Sequence, residues 1–107
     1  MSKKKITDAR VFYISDQLKT LLKSNLKLLI LFGSRARGNY TEYSDYDLLI
    51  VLKNKSDDLI DEIRDIEVEF LNKYNVLSAA LIYTEVEWEK RKKIPIGINI
   101  MREGVCI

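Results

Sequence analysis

The strongest constraint on the fold is a pair of short apolar runs held apart by a long polar loop. Lys27 to Phe32 is an apolar run that ends at Gly33, and Tyr46 to Leu52 reads YDLLIVL. Runs of this length, bounded by turn residues, read as buried strands. The loop between them, Gly33 to Asp45, is polar and carries most of the unusual residues of the chain. Long ordered loops in small domains tend to be functional.

The rest of the chain supplies cover for such strands. Val11, Ile14, Leu18, Leu21 and Leu22 recur at helical spacing, predicting a helix from about Thr7 to Ser24. Ser56 reads as the cap of a second helix, with Asp57 and Asp58 in its first turn and Ile60, Ile63, Ile66, Phe70 and Tyr74 on its apolar face. Val76 to Tyr83 reads as a third strand. Thr84 followed by Glu87 resembles a capping box that opens a helix to about Lys93, which Pro95 ends or redirects. Gly104 to Ile107 reads as a last strand or an apolar tail. The expected fold is α/β (α+β): a small mixed β-sheet flanked by helices, with residues 1–107 forming a single domain.

Composition removes several kinds of chemistry. There is no histidine and one cysteine, Cys106. A disulfide framework, a Cys/His zinc site and a histidine-activated nucleophile are all excluded. Any metal must be held by oxygen, which points to Mg²⁺, Mn²⁺ or Ca²⁺. A lone cysteine fits a reducing cytoplasm, where we expect the protein. No uninterrupted apolar run exceeds the length of Leu28 to Phe32, so no membrane span is expected. The net charge is only +2, from 18 basic and 16 acidic side chains, which is not the footprint of a dedicated nucleic-acid binder. The basic runs Lys3 to Lys5 and Lys90 to Lys93 read as a solvated terminus and a helix end.

The loop itself carries the chemistry. Gly33 permits a sharp turn and a close approach by a ligand, and Ser34 adds a hydroxyl at the start of a short helical turn. Arg35 and Arg37 add positive charge beside that turn, and arginine grips phosphate oxygens bidentately. Asp45 and Asp47 lie two apart, so along a strand both carboxylates project from one face while Tyr46 points to the other. Two adjacent carboxylates repel unless a cation sits between them. Oxygen ligation by a carboxylate pair plus substrate phosphates is what Mg²⁺ prefers.

Together these parts read Gly-Ser-Arg-Ala-Arg-Gly from Gly33, a five-residue spacer, then Ser-Asp-x-Asp-Leu and an apolar strand. The pattern resembles the minimal nucleotidyltransferases of the DNA polymerase beta superfamily, and the ending Arg102-Glu103-Gly104-Val105 resembles the close of these small domains. The resemblance implies that Gly33 and Ser34 hold the phosphates of ATP or another nucleoside triphosphate. It implies that Asp45 and Asp47 are catalytic and ligate Mg²⁺ or Mn²⁺. The implied reaction is transfer of a nucleoside monophosphate, AMP above all, to a hydroxyl on an unnamed acceptor. The resemblance further implies a helical HEPN-type partner, since small members of this kind are often paired with such a toxin, act as its antitoxin and can adenylylate it. Self-association is left open.

One part of the family pattern is missing. The third carboxylate is expected on the strand after the Asp-x-Asp strand, and that stretch reads Ser78-Ala79-Ala80. Glu85 and Glu87 come after it, and Glu67 and Glu69 belong to the polar face of the preceding helix. The alternative expectation is therefore a weakly catalytic or non-catalytic nucleotide-binding module that neutralises a partner by contact.

Overall fold

The computed structural model describes residues 6–107, so the Lys3 to Lys5 run lies outside the described residues. Helix α1 spans Ala9–Leu22, and a 3-10 turn, Lys23–Asn25, leads into β1, Leu26–Phe32. Helix α2 is a short segment, Ser34–Arg37, followed by the loop to β2, Tyr46–Leu52. Helix α3, Asp57–Tyr74, joins β2 to β3, Ser78–Thr84. Then come α4, Glu85–Arg91, α5, Pro95–Glu103, and β4, Val105–Cys106.

The four strands form one mixed sheet in the order β3-β2-β1-β4. β1 runs antiparallel to both β2 and β4, while β2 and β3 run parallel. A parallel pair cannot be joined by a tight turn, which is why α3 is needed as a crossover. Side chains alternate across the sheet, and each face has its own core. Leu29, Leu31, Tyr46, Leu48 and Ile50 pack with α1 and α3 through Ile14, Leu18, Ile63 and Phe70. Ile30, Leu49 and Val51 pack with Trp88 of α4 and Ile100 of α5. Burial on both faces explains why YDLLIVL is apolar without alternation.

The helix starts follow their cap chemistry. Asp8 caps α1 by accepting from the Arg10 amide, and Ser56 caps α3 by accepting from the Leu59 amide. Thr84 and Glu87 form a full capping box at α4, and Glu87 also pairs with Lys55 at 2.7 Å. That pairing and the Thr84 amide pull the Glu87 carboxyl down to about 2. Its contribution to stability is thus complete above the ordinary value of 4.5 and disappears as the pH falls toward about 2. Thr84→Ala is expected to cost about 1 kcal/mol in a denaturant titration at neutral pH. In Glu87→Gln, the acid-unfolding curve should lose its component between those two values.

One expectation about the end of the chain changes. Pro95 begins a helix instead of merely ending one, because it occupies the first turn, where its missing N–H is not needed. The stretch from Ile96 to Ile100 is accordingly split: Ile100 is buried, whereas Ile96 and Ile98 are 45% and 50% exposed. Gly97 is required where α5 meets α4, since a Cβ there would sit 2.0 Å from the Arg91 carbonyl oxygen. The Lys90 to Lys93 run closes α4 as expected, with Lys90 and Arg91 in its last turn and Lys92 paired to Glu89 at 2.8 Å. No helix among the described residues is long and apolar enough to cross a membrane.

Candidate active site

The antiparallel register of β1 and β2 sets Phe32 opposite Asp47. The chain leaving β1 at Gly33 therefore lies beside the chain entering β2 at Asp45 to Asp47. Gly33 has φ +73°, a region that L side chains rarely adopt, and is buried. A Cβ on it would stand 2.3 Å from Asp47 Oδ2. Only glycine lets the backbone turn lie directly against the aspartate.

Asp47 and Tyr46 diverge as the strand pleat demands. Tyr46 is fully buried on the α1/α3 side, whereas half-buried Asp47 lines a cleft of about 330 Å³ on the α5 side. Phe32, Gly33, Ser34 and Arg37 line the same cleft. Burial, then the charge of exposed Asp45, pushes the Asp47 carboxyl above its ordinary value, and the Arg37 charge offsets part of this. The site thus holds two carboxylates whose mutual repulsion the protein leaves partly uncompensated. No group of three or more His, Cys, Asp or Glu among the described residues is placed to hold a metal. Two carboxylates beside an open glycine turn nevertheless fit Mg²⁺, which commonly takes one or two protein carboxylates and fills the remaining positions with phosphates and water.

The structure brings Gly33, Ser34, Arg37 and Asp47 to one cleft, and exposed Asp45 is near enough for its charge to act on Asp47. Arg35 is not among them. It is 7% exposed, its Nε and Nη2 donate to the carbonyls of Ser44 and Glu42 at 3.1 Å each, and its guanidinium lies between the rings of Tyr40 and Tyr46. Its charge is committed to the back of the loop, where it was expected beside the phosphate turn.

The cleft's far wall was not anticipated. Ile96, Asn99, Ile100 and Glu103 of α5 line it, and Glu103 pairs with Arg37 at 3.0 Å. These positions fall at i, i+3, i+4 and i+7, one face of a helix. Reading Pro95 as a first helical residue would have exposed that pattern.

The missing acid is explained by register. Ala79 is the partner of Asp47 on β3, shares its face and is exposed. Thr84 is opposite Leu52, so Glu85 and Glu87 lie at the other end of the sheet, about 16 Å away at strand rise. Glu67 is occupied elsewhere: it accepts from the Ala80 amide on the outer edge of β3 at 2.9 Å and pairs with Arg64 at 2.6 Å. Unpaired edge groups invite association, and these two side chains cover one residue of that edge.

Comparison with known proteins decides the family of the chain. A family model described as nucleotidyltransferase domain matches residues 13–101. The chain belongs to the nucleotidyltransferase family. Among its relatives is a candidate protein adenylyltransferase of Methanocaldococcus jannaschii, 38% identical over 87 residues that cover 81% of this chain and 83% of the relative. A second such protein from the same organism is 40% identical over 68 residues, covering 62% and 68%. Two crystal structures share the fold. One, a toxin–antitoxin complex with AMP-PNP, has a TM-score of 0.55 and 16% identity, covering 85% of this chain and 69% of that one. The other, a toxin–antitoxin MntA–HpeT mutant, has a TM-score of 0.61 and 14% identity, covering 96% and 72%. This nucleotidyltransferase thus carries the mixed sheet and flanking helices that its sequence implies.

Proposed function

We propose that this nucleotidyltransferase transfers AMP from ATP to a hydroxyl on a partner protein, with Asp45 and Asp47 holding Mg²⁺. The observation that carries the reading is the contact of Gly33 with the Asp47 carboxylate, which fixes the phosphate turn and an acid within one cleft. When bound, Mg²⁺ supplies charge neutralisation on the phosphates and orients the α-phosphate. The Gly33–Ser34 backbone and the Ser34 hydroxyl hold the β- and γ-phosphates. Arg37 exchanges its Glu103 partner for a phosphate oxygen. The acceptor oxygen bonds to the α-phosphorus, the bond to the bridging oxygen breaks, and pyrophosphate leaves. No acid stands at Ala79 to take the acceptor proton, so that proton passes to solvent or to a group on the acceptor.

The protein class of the acceptor is supported by the naming of the relatives as candidate protein adenylyltransferases. The two structural neighbours are toxin–antitoxin complexes, which favours a toxin, and within our reading a HEPN-type one, as the partner. Ala79 opposite Asp47 favours a second reading, in which the chain binds nucleotide and neutralises the partner by contact with little transfer. General bases typically contribute about 10²–10⁴-fold, so their loss alone allows slow transfer. Calorimetric titration of ATP with Mg²⁺ and with EDTA tests the shared step. Metal-dependent binding is expected, and its absence overturns both readings. Mass spectrometry of the partner after incubation with ATP then separates them, since the first reading requires an added AMP and the second leaves the partner unmodified.

A further inference from the structure

Asp45 sits at the end of a loop whose own hydrogen bonds are exposed, one residue before the strand that carries Asp47. The Thr41 amide donates to Ser44 Oγ at 2.9 Å and the Ser44 amide donates to the Thr41 carbonyl at 3.2 Å. Asp45 follows directly and is exposed. Nothing in those contacts holds two mutually repelling carboxylates at a fixed separation. What does reach the loop from a buried position is the cluster on the opposite face of the sheet.

We propose that Arg35, with Tyr46 and Asp8, is a positioning unit that sets the spacing of Asp45 and Asp47 from behind the sheet. Arg35 is on α2, one residue after Ser34, so it ties the phosphate turn to the acid-bearing loop. Its two bonds to the Ser44 and Glu42 carbonyls fix the backbone immediately before Asp45. Its guanidinium lies 4.3 Å from the Tyr46 ring centre and 4.5 Å from that of Tyr40. Tyr46, the residue between the two acids, packs edge-on against Phe70, and its hydroxyl donates to the Asp8 carboxylate. The Tyr46 amide donates to the Leu77 carbonyl at 2.9 Å, which pins the start of β2. Asp8 is itself held as the cap of α1. A twist of the backbone at Tyr46 would carry both neighbouring acids with it, and anchoring the Tyr46 side chain through Asp8 and Arg35 opposes that twist. These groups touch neither nucleotide nor metal. They act by raising the fraction of molecules whose acids are correctly spaced, and apparent affinity scales with that fraction.

The proposal rests on the reading that Asp45 and Asp47 hold the metal, and its test separates the two. ATP binding is measured by calorimetry over a series of Mn²⁺ concentrations for the wild-type chain, Arg35→Lys, Tyr46→Phe and Asp47→Ala, with circular dichroism as the check on folding. Arg35→Lys is expected to raise the Mn²⁺ concentration for half-maximal ATP binding by about tenfold, as loss of groups that orient metal ligands commonly does. ATP affinity at saturating Mn²⁺ should stay near the wild-type value. Tyr46→Phe removes one hydroxyl, keeps the ring and should shift the same midpoint in the same direction. Equal weakening by Arg35→Lys at every Mn²⁺ concentration would mark a direct phosphate contact and overturn the proposal. An unmoved midpoint in folded Arg35→Lys, or in Tyr46→Phe if the lysine variant does not fold, overturns it too. Mn²⁺-dependent binding that persists in Asp47→Ala overturns the metal reading, and the proposal with it.

Discussion

Asp47→Ala is expected to lower nucleotidyl transfer by about 10³-fold, the loss typical when one preorganised charge-stabilising group is removed. It should also abolish the stimulation of ATP binding by Mg²⁺. The fold should survive, because Asp47 is half-buried at the open end of β2 and makes no contact that the core depends on. The electrostatics give the same variant series a second signature. Burial and the Asp45 charge raise the Asp47 carboxyl above its ordinary value, so ionising it costs the metal-free fold stability at neutral pH. Asp47→Asn removes that charge without changing shape. In EDTA at neutral pH its Tm should therefore exceed that of the wild-type chain. The gap should shrink as the pH falls through the titration of Asp47, where the wild-type carboxyl becomes neutral as well. With Mg²⁺ and ATP the order should reverse, since only the wild-type chain gains stability from binding. Wild-type transfer rates in Asp47→Ala would remove Asp47 from the site.

Gly33→Ala is expected to combine a stability loss with a larger functional one. A side chain at φ +73° costs about 1–3 kcal/mol, which a denaturant titration will show as a lowered midpoint. The added methyl would also stand 2.3 Å from Asp47 Oδ2, well inside contact distance, so the carboxylate must move or the turn must open. Either response separates the phosphate turn from the acid. Metal-dependent ATP binding should fall at least as far as in Asp47→Ala. Ala36→Gly, on the short helix that follows Gly33 but buried in the α1/α3 core, provides the comparison. It should lose stability through a small cavity while keeping far more of its ATP binding. Equal binding losses in the two variants would mean that any disturbance of α2 suffices and that the Gly33 contact is not special.

Much of this protein was legible because it is written in local periodicity. Tyr46–Leu52 and Asp57–Tyr74 begin and end where cap residues and apolar spacing put them. The Thr84/Glu87 box opens α4 as its two side chains require. The divergence of Asp47 from Tyr46 follows from the strand pleat alone, with no knowledge of what packs on either face. Family membership was also legible, because the Gly-Ser turn and the Asp-x-Asp strand carry it together.

The remaining features depend on contacts between residues far apart in sequence. Arg35 and Arg37 look alike in sequence and stand two apart, yet one stacks between tyrosines behind the sheet and the other faces the cleft with Glu103. The difference comes from α2: on so short a helix, two residues of separation turn side chains to opposite sides, and which side is the cleft depends on where β2 lies. The α5 wall and the Arg37–Glu103 pair join residues 66 positions apart, a closure that local spacing does not encode. The sequence already showed no acid in Ser78-Ala79-Ala80, but that Ala79 is the residue set beside Asp47 has the same origin. The sequence by itself determined the strands, the capped helices and a pair of acids on one strand face, since these follow from side-chain period and cap chemistry. Only the tertiary structure decided which arginine meets the cleft, which helix walls it and that Glu103 enters it beside Asp47, since these follow from strand register and helix packing.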